Sequence, residues 1–203
     1  MKIINSSYEI LRLDKERDVE MIARGYCICY NTRLPDTYEE QCDLIRKRRK
    51  HGSPLEHSIM TVEFTINRGV SHEMVRHRHT AYSQQSTRWC NFSNDRFGSE
   101  LTFIKDKTIK DSIAYKTWLE SLECAEDTYF ELLNRGLTTD QSRGCLTNDL
   151  MTKLLVSTNF REWRDIFNLR CDSHAHYQMR EVMRPLLEEV TNELPCVFDD
   201  ITF

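Results

Sequence analysis

Apolar and polar residues alternate most clearly over residues 60–66, where Met, Val, Phe and Ile take every second position. A period of two predicts a β-strand with one buried face. Short apolar segments predict further strands within residues 2–12 and 101–104. Residues 153–158 are compatible with either a strand or a buried turn, so we expect a short sheet built from separated segments.

Apolar residues spaced by three and four predict helices elsewhere in the chain. The spacing is clearest over residues 119–136, and Thr37 with Glu40 forms the capping-box pattern that begins another helix. Residues 79–99 are polar and interrupted by aromatic side chains, which predicts a functional loop. The predicted helices cover residues 18–30, 38–50, 70–77, 119–136, 139–151, 160–169 and 179–194.

This order of elements predicts an α+β fold, with helices packed around a short, mostly antiparallel central sheet. The chain has 203 residues, of which 39% are hydrophobic and 30% charged, as expected for one soluble domain over residues 1–203. A net charge of −4 argues against a general nucleic-acid-binding protein. The sequence shows neither an apolar membrane span nor an amino-terminal leader, so we expect a cytoplasmic protein without membrane partners.

Cysteine spacing indicates neither a metal centre nor a disulfide framework. The eight cysteines include one close pair, Cys27 and Cys29, and no CxxC motif. In a chain without a leader we expect reduced thiols. Cys196 follows Pro195, a pair also found around nucleophilic cysteines, but no histidine lies near it in sequence. We therefore expect a structural role for Cys196.

The segment 76–89 (RHRHTAYSQQSTRW) holds the densest group of chemically active side chains. Arg76, Arg78 and Arg88 accompany the hydroxyls and amides of residues 83–87, and no Lys, Asp or Glu interrupts them. Guanidinium groups and neutral donors are what phosphate oxygens require. The segment therefore predicts a site for a small phosphorylated ligand or for single-stranded nucleic acid.

Two other interpretations of this segment remain open at this point. A metal site would use His72, His77 and His79, although the interleaved arginines repel a cation. A serine enzyme would use Ser83 or Ser86 as its nucleophile, although the chain has no GxSxG motif. Neither interpretation explains the arginines.

A second group of arginines lies downstream. Arg143 falls in a predicted helix, and Arg170 shares one helical face with Trp163 and Phe167 by steps of three and four. An arginine that follows two large apolar residues is expected to point inwards. There it needs a carboxylate or a ligand as its partner.

Together these residues resemble the flavin-dependent thymidylate synthase family. The resemblance covers about residues 20–190, and several motifs in the expected order are far more specific than any one of them. The motifs, in chain order, are HGSPLEH at 51–57, RHR at 76–78 with Ser86 after seven further residues, Arg143, NFREW at 159–163, NLR at 168–170 and SHA at 173–175.

The resemblance implies a specific activity. Members of the family methylate dUMP at C5 to give dTMP, with methylenetetrahydrofolate as the carbon donor, NADPH as the reductant and FAD as the bound cofactor. The active enzyme is a homotetramer of α+β subunits that share the flavin and nucleotide sites. The implied mechanism uses no covalent protein nucleophile, no metal and no nucleic-acid partner. Arg170 would instead stabilise negative charge at N3 and O2 of the uracil.

The resemblance also assigns site residues position by position, with Arg170 as the catalytic residue. Glu73, Arg76 and His77 are expected to share one helical face. The residues implied to bind FAD are Ser53, Arg76, His77, Arg78, Gln84, Asn159, Phe160, Arg161, Asp165 and His174. The residues implied to bind dUMP are Glu73, Met74, Val75, Arg76, Gln84, Gln85, Ser86, Thr87, Arg88, Arg143 and Arg170.

A few positions depart from common forms of the family motifs. Asp165 is the most consequential, because a carboxylate beside FAD phosphates would be repulsive. Asp165 lies four residues after Arg161, a spacing that suits an intrahelical ion pair. The departures are Ala81, Gln85, Trp89, Thr147 and Asp165.

Overall fold

The computed structural model describes residues 1–94 and 98–203 and has the predicted α+β architecture. The strands within these residues are β1 (Lys2–Ile4), β2 (Ser7–Arg12), β3 (Ile59–Asn67), β4 (Ala81–Gln84), β5 (Thr102–Ile104) and β6 (Met151–Asn159). The α-helices are α1 (Lys15–Tyr30), α2 (Tyr38–Arg48), α3 (Arg68–Met74), α4 (Ser112–Asn134), α5 (Thr139–Ser142), α6 (Phe160–Arg170), α7 (Tyr177–Glu193) and α8 (Pro195–Phe198). Short 3-10 helices cover Ser53–His57 and Arg143–Cys145.

Four strands form a sheet in the order β2-β3-β6-β4, and β1 pairs in parallel with β5. Backbone N–H groups of Phe160 and Arg68 donate to the carbonyls of Ser58 and Leu150, at opposite ends of β3 and β6. Residue numbers rise on one strand as they fall on the other, so β3 and β6 are antiparallel. The alternation over residues 60–66 is confirmed, because Met60, Val62, Phe64 and Ile66 are buried.

The chain divides into two compact units, and β3, β4 and β6 each contribute residues to both. Unit 1 consists of Met1–Ser7, Phe64–Met74 and Ser83–Leu154. Its hydrophobic core contains Leu101 and Phe103 from the β5 region, together with Leu122 and Tyr129 from α4. The helix α4 is capped by Asp111, whose side chain accepts a hydrogen bond from the N–H of Ala114.

Unit 2 consists of Tyr8–Glu63, Val75–Tyr82 and Leu155–Phe203. The aromatic ring of Phe167 stacks on Trp163 and contacts Phe198 edge to face, and all three side chains are fully buried. The indole N–H of Trp163 donates to the carbonyl of Met60 at 3.1 Å. Aromatic packing and the hydrogen bond to Met60 both fix this face of α6. The helix is therefore a rigid support for the polar residues on its other faces.

The start of α6 is set by its sequence. The Asn159 side chain accepts a hydrogen bond from the N–H of Glu162 at 2.9 Å, which caps the helix. Glu162 in the first turn and Arg170 in the last turn both complement the helix dipole. The helix predicted over residues 160–169 is therefore confirmed to within one residue.

The helix predicted over residues 139–151 is wrong. The structure has α5, a single turn capped by Thr138 and Gln141, followed by the 3-10 helix Arg143–Cys145. The end of the predicted helix instead belongs to β6, whose residues alternate between buried and more exposed environments. The prediction failed because the spacing of apolar residues in 139–151 is compatible with one helix and equally with a turn followed by a strand.

Two further boundaries differ from the prediction. The helix predicted over residues 70–77 ends at Met74, so Arg76 and His77 do not share a helical face with Glu73. Residues 79–99, predicted to be a loop, contain β4, which pairs with β6. None of the helices in the described residues is both long enough and apolar enough to cross a membrane.

Candidate functional site

A polar cavity of about 360 Å³ opens beside the first turns of α6 in unit 2. Three carboxylates face a guanidinium, an imidazole and an amide, so the cavity offers both donors and acceptors of hydrogen bonds. Its lining residues are Glu56, His79, Asn159, Arg161, Glu162 and Asp165.

Arg161 lies across Gly52 and pairs with Glu56 rather than with Asp165. Its Nη1 is 2.6 Å from Oε1 of Glu56, and both side chains are about half exposed. A Cβ on Gly52 would lie 3.2 Å from Nε of Arg161, so the absence of a side chain makes room for the guanidinium. An exposed pair of this kind contributes about 0–1 kcal/mol. Arg161 can therefore exchange Glu56 for an anionic ligand at little cost, and the pairing of Arg161 with Asp165 considered from the spacing is wrong.

Arg170 contacts His77 at the other end of α6. The guanidinium Nε donates to Nε2 of His77 at 3.0 Å, and Nδ1 of the same ring lies 3.5 Å from Oε1 of Glu162. The side chains of His77 and Glu162 are only 9% and 13% exposed. The sequence predicted that an inward-pointing Arg170 would need a partner, and the imidazole of His77 is one such partner.

The environment of His77 favours its neutral form. Burial lowers the pKa of His77, and the nearby Arg170 charge lowers it further, while Asp165 acts in the opposite direction. Burial also raises the pKa of Glu162, with a further contribution from the negative charge of Asp165. A neutral His77 is required by the hydrogen bond from Arg170, because a protonated ring has no acceptor nitrogen.

The backbone around His77 is held by side-chain hydrogen bonds instead of a continued helix. The hydroxyl of Tyr82 donates to the carbonyl of His77 at 3.0 Å. The hydroxyl of Thr158 donates to the carbonyl of His79 at 2.7 Å. These bonds satisfy carbonyls that lie beyond the end of α3 and hold the segment that follows it.

Other predicted cofactor and nucleotide residues of unit 2 vary in their environments. Val75, Arg76 and Arg78 are exposed. The hydroxyl of Ser53 lies 3.3 Å from Nε2 of His51. His174 is also exposed, in the segment between α6 and α7.

Phe160 and His174 already have partners within unit 2. The Phe160 ring is fully buried against Phe198, and its N–H donates to the carbonyl of Ser58. Nδ1 of His174 lies 2.8 Å from Oδ1 of Asp172, and the hydrogen bonds from His174 lower the pKa of Asp172.

In unit 1, Arg88 and Arg143 converge on one carboxylate. Nε of Arg88 lies 3.4 Å from Oδ2 of Asp140, and Nη2 of Arg143 lies 3.1 Å from Oδ1 of the same residue. All three side chains are more than 40% exposed. Two cations around one anion keep a net positive charge, which favours a bound phosphate.

The segment before Arg88 supplies neutral hydrogen-bonding groups in unit 1. The amide of Gln84 donates to the hydroxyls of Ser71 at 2.8 Å and Thr152 at 3.4 Å. The backbone N–H of Gln85 donates to the carbonyl of Lys153. Among the described residues, the side-chain oxygen of Gln85 is buried without a hydrogen-bond donor. A buried acceptor in that state favours a ligand that brings a donor.

The remaining predicted nucleotide residues of unit 1 differ in accessibility. Met74 is fully buried and Thr87 is nearly so, whereas Glu73 and Ser86 are half-buried. The hydroxyl of Ser86 accepts a hydrogen bond from the N–H of Arg88 at 3.2 Å. Trp89 is 75% exposed.

Arg88 and Trp89 line a shallow groove of about 490 Å³ in unit 1. The Arg88 guanidinium carbon lies 5.2 Å from the Trp89 ring centroid, within the range of a cation–π contact. Thr138, Thr139 and Asp140 line the same groove. The groove therefore joins a positive site to an exposed aromatic face.

The interpretations that needed a metal or a protein nucleophile gain no support. The described residues contain no group of three His, Cys, Asp or Glu side chains able to hold a metal ion. Cys196 is fully buried, and burial together with contact to Cys42 raises the pKa of its thiol. Such a thiol is a poor nucleophile.

Sequence reasoning missed the acidic partners of these sites. Glu56, Glu162 and Asp140 each contact a predicted arginine or histidine, but none was assigned a role. The spacing of Asp140 and Arg143 was a usable signal, because residues three apart on a helix are neighbours. The other two contacts join segments far apart in sequence, so no local pattern indicates them.

A family model described as "Thymidylate synthase complementing protein" matches residues 11–196. A flavin-dependent thymidylate synthase of Geobacter sulfurreducens is 34% identical over 151 residues, which cover 74% of this chain and 64% of that protein. The chain belongs to the flavin-dependent thymidylate synthase family.

Other comparisons agree with this membership. A flavin-dependent thymidylate synthase of Pyrococcus furiosus is 34% identical over 69% of this chain and 57% of its own length. The chain thus spans about six tenths of the length of these curated relatives. A crystal structure of a UMP/dUMP methylase, PolB, from Streptomyces cacaoi, bound with 5-Br dUMP, has the same fold, with a TM-score of 0.79 and 17% identity. That similarity covers 98% of this chain and 96% of the solved one.

Proposed function

We propose that this protein is a flavin-dependent thymidylate synthase that methylates dUMP to dTMP. Methylenetetrahydrofolate would supply the carbon and NADPH the electrons. The observation that carries the proposal is the fixed guanidinium of Arg170, held at Nε by the neutral ring of His77. A cation oriented before substrate binds is what a reaction that builds negative charge on a pyrimidine requires.

We propose that the cavity of unit 2 holds part of an FAD molecule. Arg161 can pair with a phosphate once Glu56 is displaced, and the carboxylate of Asp165 can accept hydrogen bonds from ribose hydroxyls or a ring N–H. Asp165 would repel a phosphate, so it must face one of these neutral donors. FAD, when bound, supplies the redox chemistry that links NADPH to the transferred carbon. The residues that we propose to hold FAD are Ser53, Arg76, His77, Arg78, Gln84, Asn159, Phe160, Arg161, Asp165 and His174.

We propose that Arg88 and Arg143 bind the phosphate of dUMP. They already converge on an anion, the exposed carboxylate of Asp140. The unpartnered oxygen of Gln85 can accept a hydrogen bond from a nucleotide N–H or hydroxyl. The further residues that we propose to contact dUMP are Glu73, Met74, Val75, Arg76, Gln84, Ser86, Thr87 and Arg170.

Arg170 would act on the pyrimidine without a covalent bond to the protein. Its guanidinium would stabilise negative charge at N3 and O2, which makes C5 more nucleophilic. The bond to His77 uses one of its five N–H donors and restricts the plane of the fork. We further propose that residues 1–203 act as one functional domain and that the active form is a cytoplasmic homotetramer.

An absorbance spectrum of the purified protein, followed by titration with dUMP, tests the proposal. We expect a flavin spectrum, intrinsic or after addition of FAD, that changes on addition of dUMP. A protein that neither takes up FAD nor binds dUMP would contradict the proposal. Binding of single-stranded DNA by such a colourless protein would instead favour a nucleic-acid module that uses Arg88 and Trp89.

A further inference from the structure

Glu162, His77 and Arg170 form one chain of contacts within unit 2. Glu162 and Arg170 lie eight residues apart on α6, and the His77 ring reaches both of them. One ring nitrogen accepts from Arg170 at 3.0 Å, and the other lies 3.5 Å from the Glu162 carboxylate. The ring and the carboxylate are nearly buried. Water therefore competes weakly for these contacts.

The contacts determine where the proton of His77 lies. A neutral imidazole has one donor nitrogen and one acceptor nitrogen. Because Nε2 accepts from Arg170, the proton must be on Nδ1, which faces Glu162. The opposite tautomer would place two N–H groups against each other at Nε2 and leave Nδ1 without a proton beside a carboxylate.

We propose that Glu162 is a positioning residue that fixes the Nδ1–H tautomer of His77 and thereby the orientation of Arg170. The consequence for catalysis rests on the function proposed above, whereas the tautomer does not. Other charged or titratable groups near these side chains are Asp165, Arg161, His79 and Tyr82. Asp165 contributes negative charge that acts on the pKa of His77, whereas the carboxylate of Glu162 lies 3.5 Å from Nδ1 of its ring. Glu162 is therefore the carboxylate at Nδ1 that supports the tautomer required by the donor of Arg170 at Nε2.

The tautomer can be measured directly in the full chain. Protein labelled with ¹⁵N-histidine distinguishes protonated from unprotonated ring nitrogens by chemical shift, and a His77→Gln variant assigns the signals. We expect His77 to be protonated at Nδ1 in the wild type and in Glu162→Gln, whose amide oxygen can still accept. In Glu162→Ala only the donor of Arg170 still favours that tautomer, so we expect a mixture of the two tautomers. A wild-type ring protonated at Nε2, or an unchanged tautomer in Glu162→Ala, would overturn the proposal.

Kinetics then test the link to Arg170. We expect Glu162→Ala to lower kcat about tenfold or more with little change in dUMP affinity, because misplacement of a catalytic group affects the reaction more than binding. Glu162→Gln loses the same charge at the start of α6, so it controls for the helix dipole and should stay near the wild-type rate. Equal losses in the two variants would contradict the proposal. Should Glu162→Ala not fold, Glu162→Asp, which draws the carboxylate back by one methylene, is expected to lower kcat in the same way.

The two proposals fail in distinguishable ways. A wild type that makes no dTMP would remove the proposed function and leave the tautomer measurement valid. A wild type that makes dTMP, with a Glu162→Ala variant of full rate and unchanged tautomer, would remove only the role of Glu162.

Discussion

Both units hold arginines beside carboxylates, but they do so in different surroundings. In unit 2, His77 and Glu162 are nearly buried, and Arg170 is tied to the ring at a fixed nitrogen. In unit 1, Arg88 and Arg143 face the exposed Asp140. Burial strengthens and orients polar contacts, whereas exposed ion pairs are screened and readily exchanged. The first arrangement suits a group that must be positioned for chemistry, and the second suits the capture of a soluble anion.

Replacement of Arg170 tests the buried arrangement most severely. We expect Arg170→Ala to lower kcat by about a hundredfold or more, since it removes a charge aimed at the reacting pyrimidine. A steady-state dTMP assay measures the loss, with circular dichroism as a check on folding. Arg170→Lys keeps the charge but not the fork, and it should recover only part of the rate. A full rate in Arg170→Ala would show that the guanidinium of Arg170 does not act on the reacting pyrimidine.

Replacement of Arg143 should affect binding more than the reaction. We expect Arg143→Ala to weaken dUMP binding about tenfold, with kcat at saturating dUMP reduced less, because a phosphate contact lies away from the reacting carbon. Titration at two salt concentrations should show a smaller salt dependence than in the wild type. Arg135→Ala is a matched control, since Arg135 forms an exposed pair with Glu131 in the same unit. An unchanged dUMP affinity in Arg143→Ala would contradict the proposed binding of the dUMP phosphate by Arg143.

Acid pH should lower both the stability and the activity that depend on His77 in unit 2. The pKa of His77 is lowered in the folded protein, so the unfolded chain takes up this proton first as the pH falls below about 6.5. The stability that the neutral ring contributes is complete above that pH and is lost as the pH falls towards the folded value. We expect kcat to fall only at lower pH, around the lowered pKa of His77 in the folded protein, because protonation of the folded ring breaks the bond from Arg170. A His77→Gln variant that keeps the same acid limb would contradict this assignment.

The smallest expected effect concerns Asp140. In Asp140→Asn, the arginines of unit 1 lose a competing negative charge, so dUMP affinity should rise a few-fold at low salt and less at high salt. Calorimetric titration measures this change. A large loss of affinity would mean that Asp140 organises the arginines more strongly than its exposure indicates.

The sequence predicted local elements better than their junctions. The strand at residues 60–66 and the helix at 160–169 were predictable, because each pairs a regular apolar period with a clear end signal. The helix ends at Met74, and the carbonyls of His77 and His79 beyond it accept hydrogen bonds from Tyr82, five residues from His77, and from the distant Thr158. No periodicity in residues 70–77 carries that information.

In the candidate site, the sequence predicted the basic residues but not the acidic residues that contact them. The arginines and histidines were found because their types and order match a family pattern. Their acidic partners were not found, because Glu56 and Glu162 meet Arg161 and His77 only through the tertiary fold. The pairing of Arg161 with Asp165 was a reasonable local expectation, but a neighbour from the 3-10 helix took its place.

The most direct test of the proposed synthase activity is conversion of dUMP to dTMP by the full chain with FAD, NADPH and methylenetetrahydrofolate. We predict dTMP formation that requires all of these components and falls about a hundredfold or more in Arg170→Ala. A folded wild type that binds FAD and dUMP but forms no dTMP would contradict the proposed synthase activity.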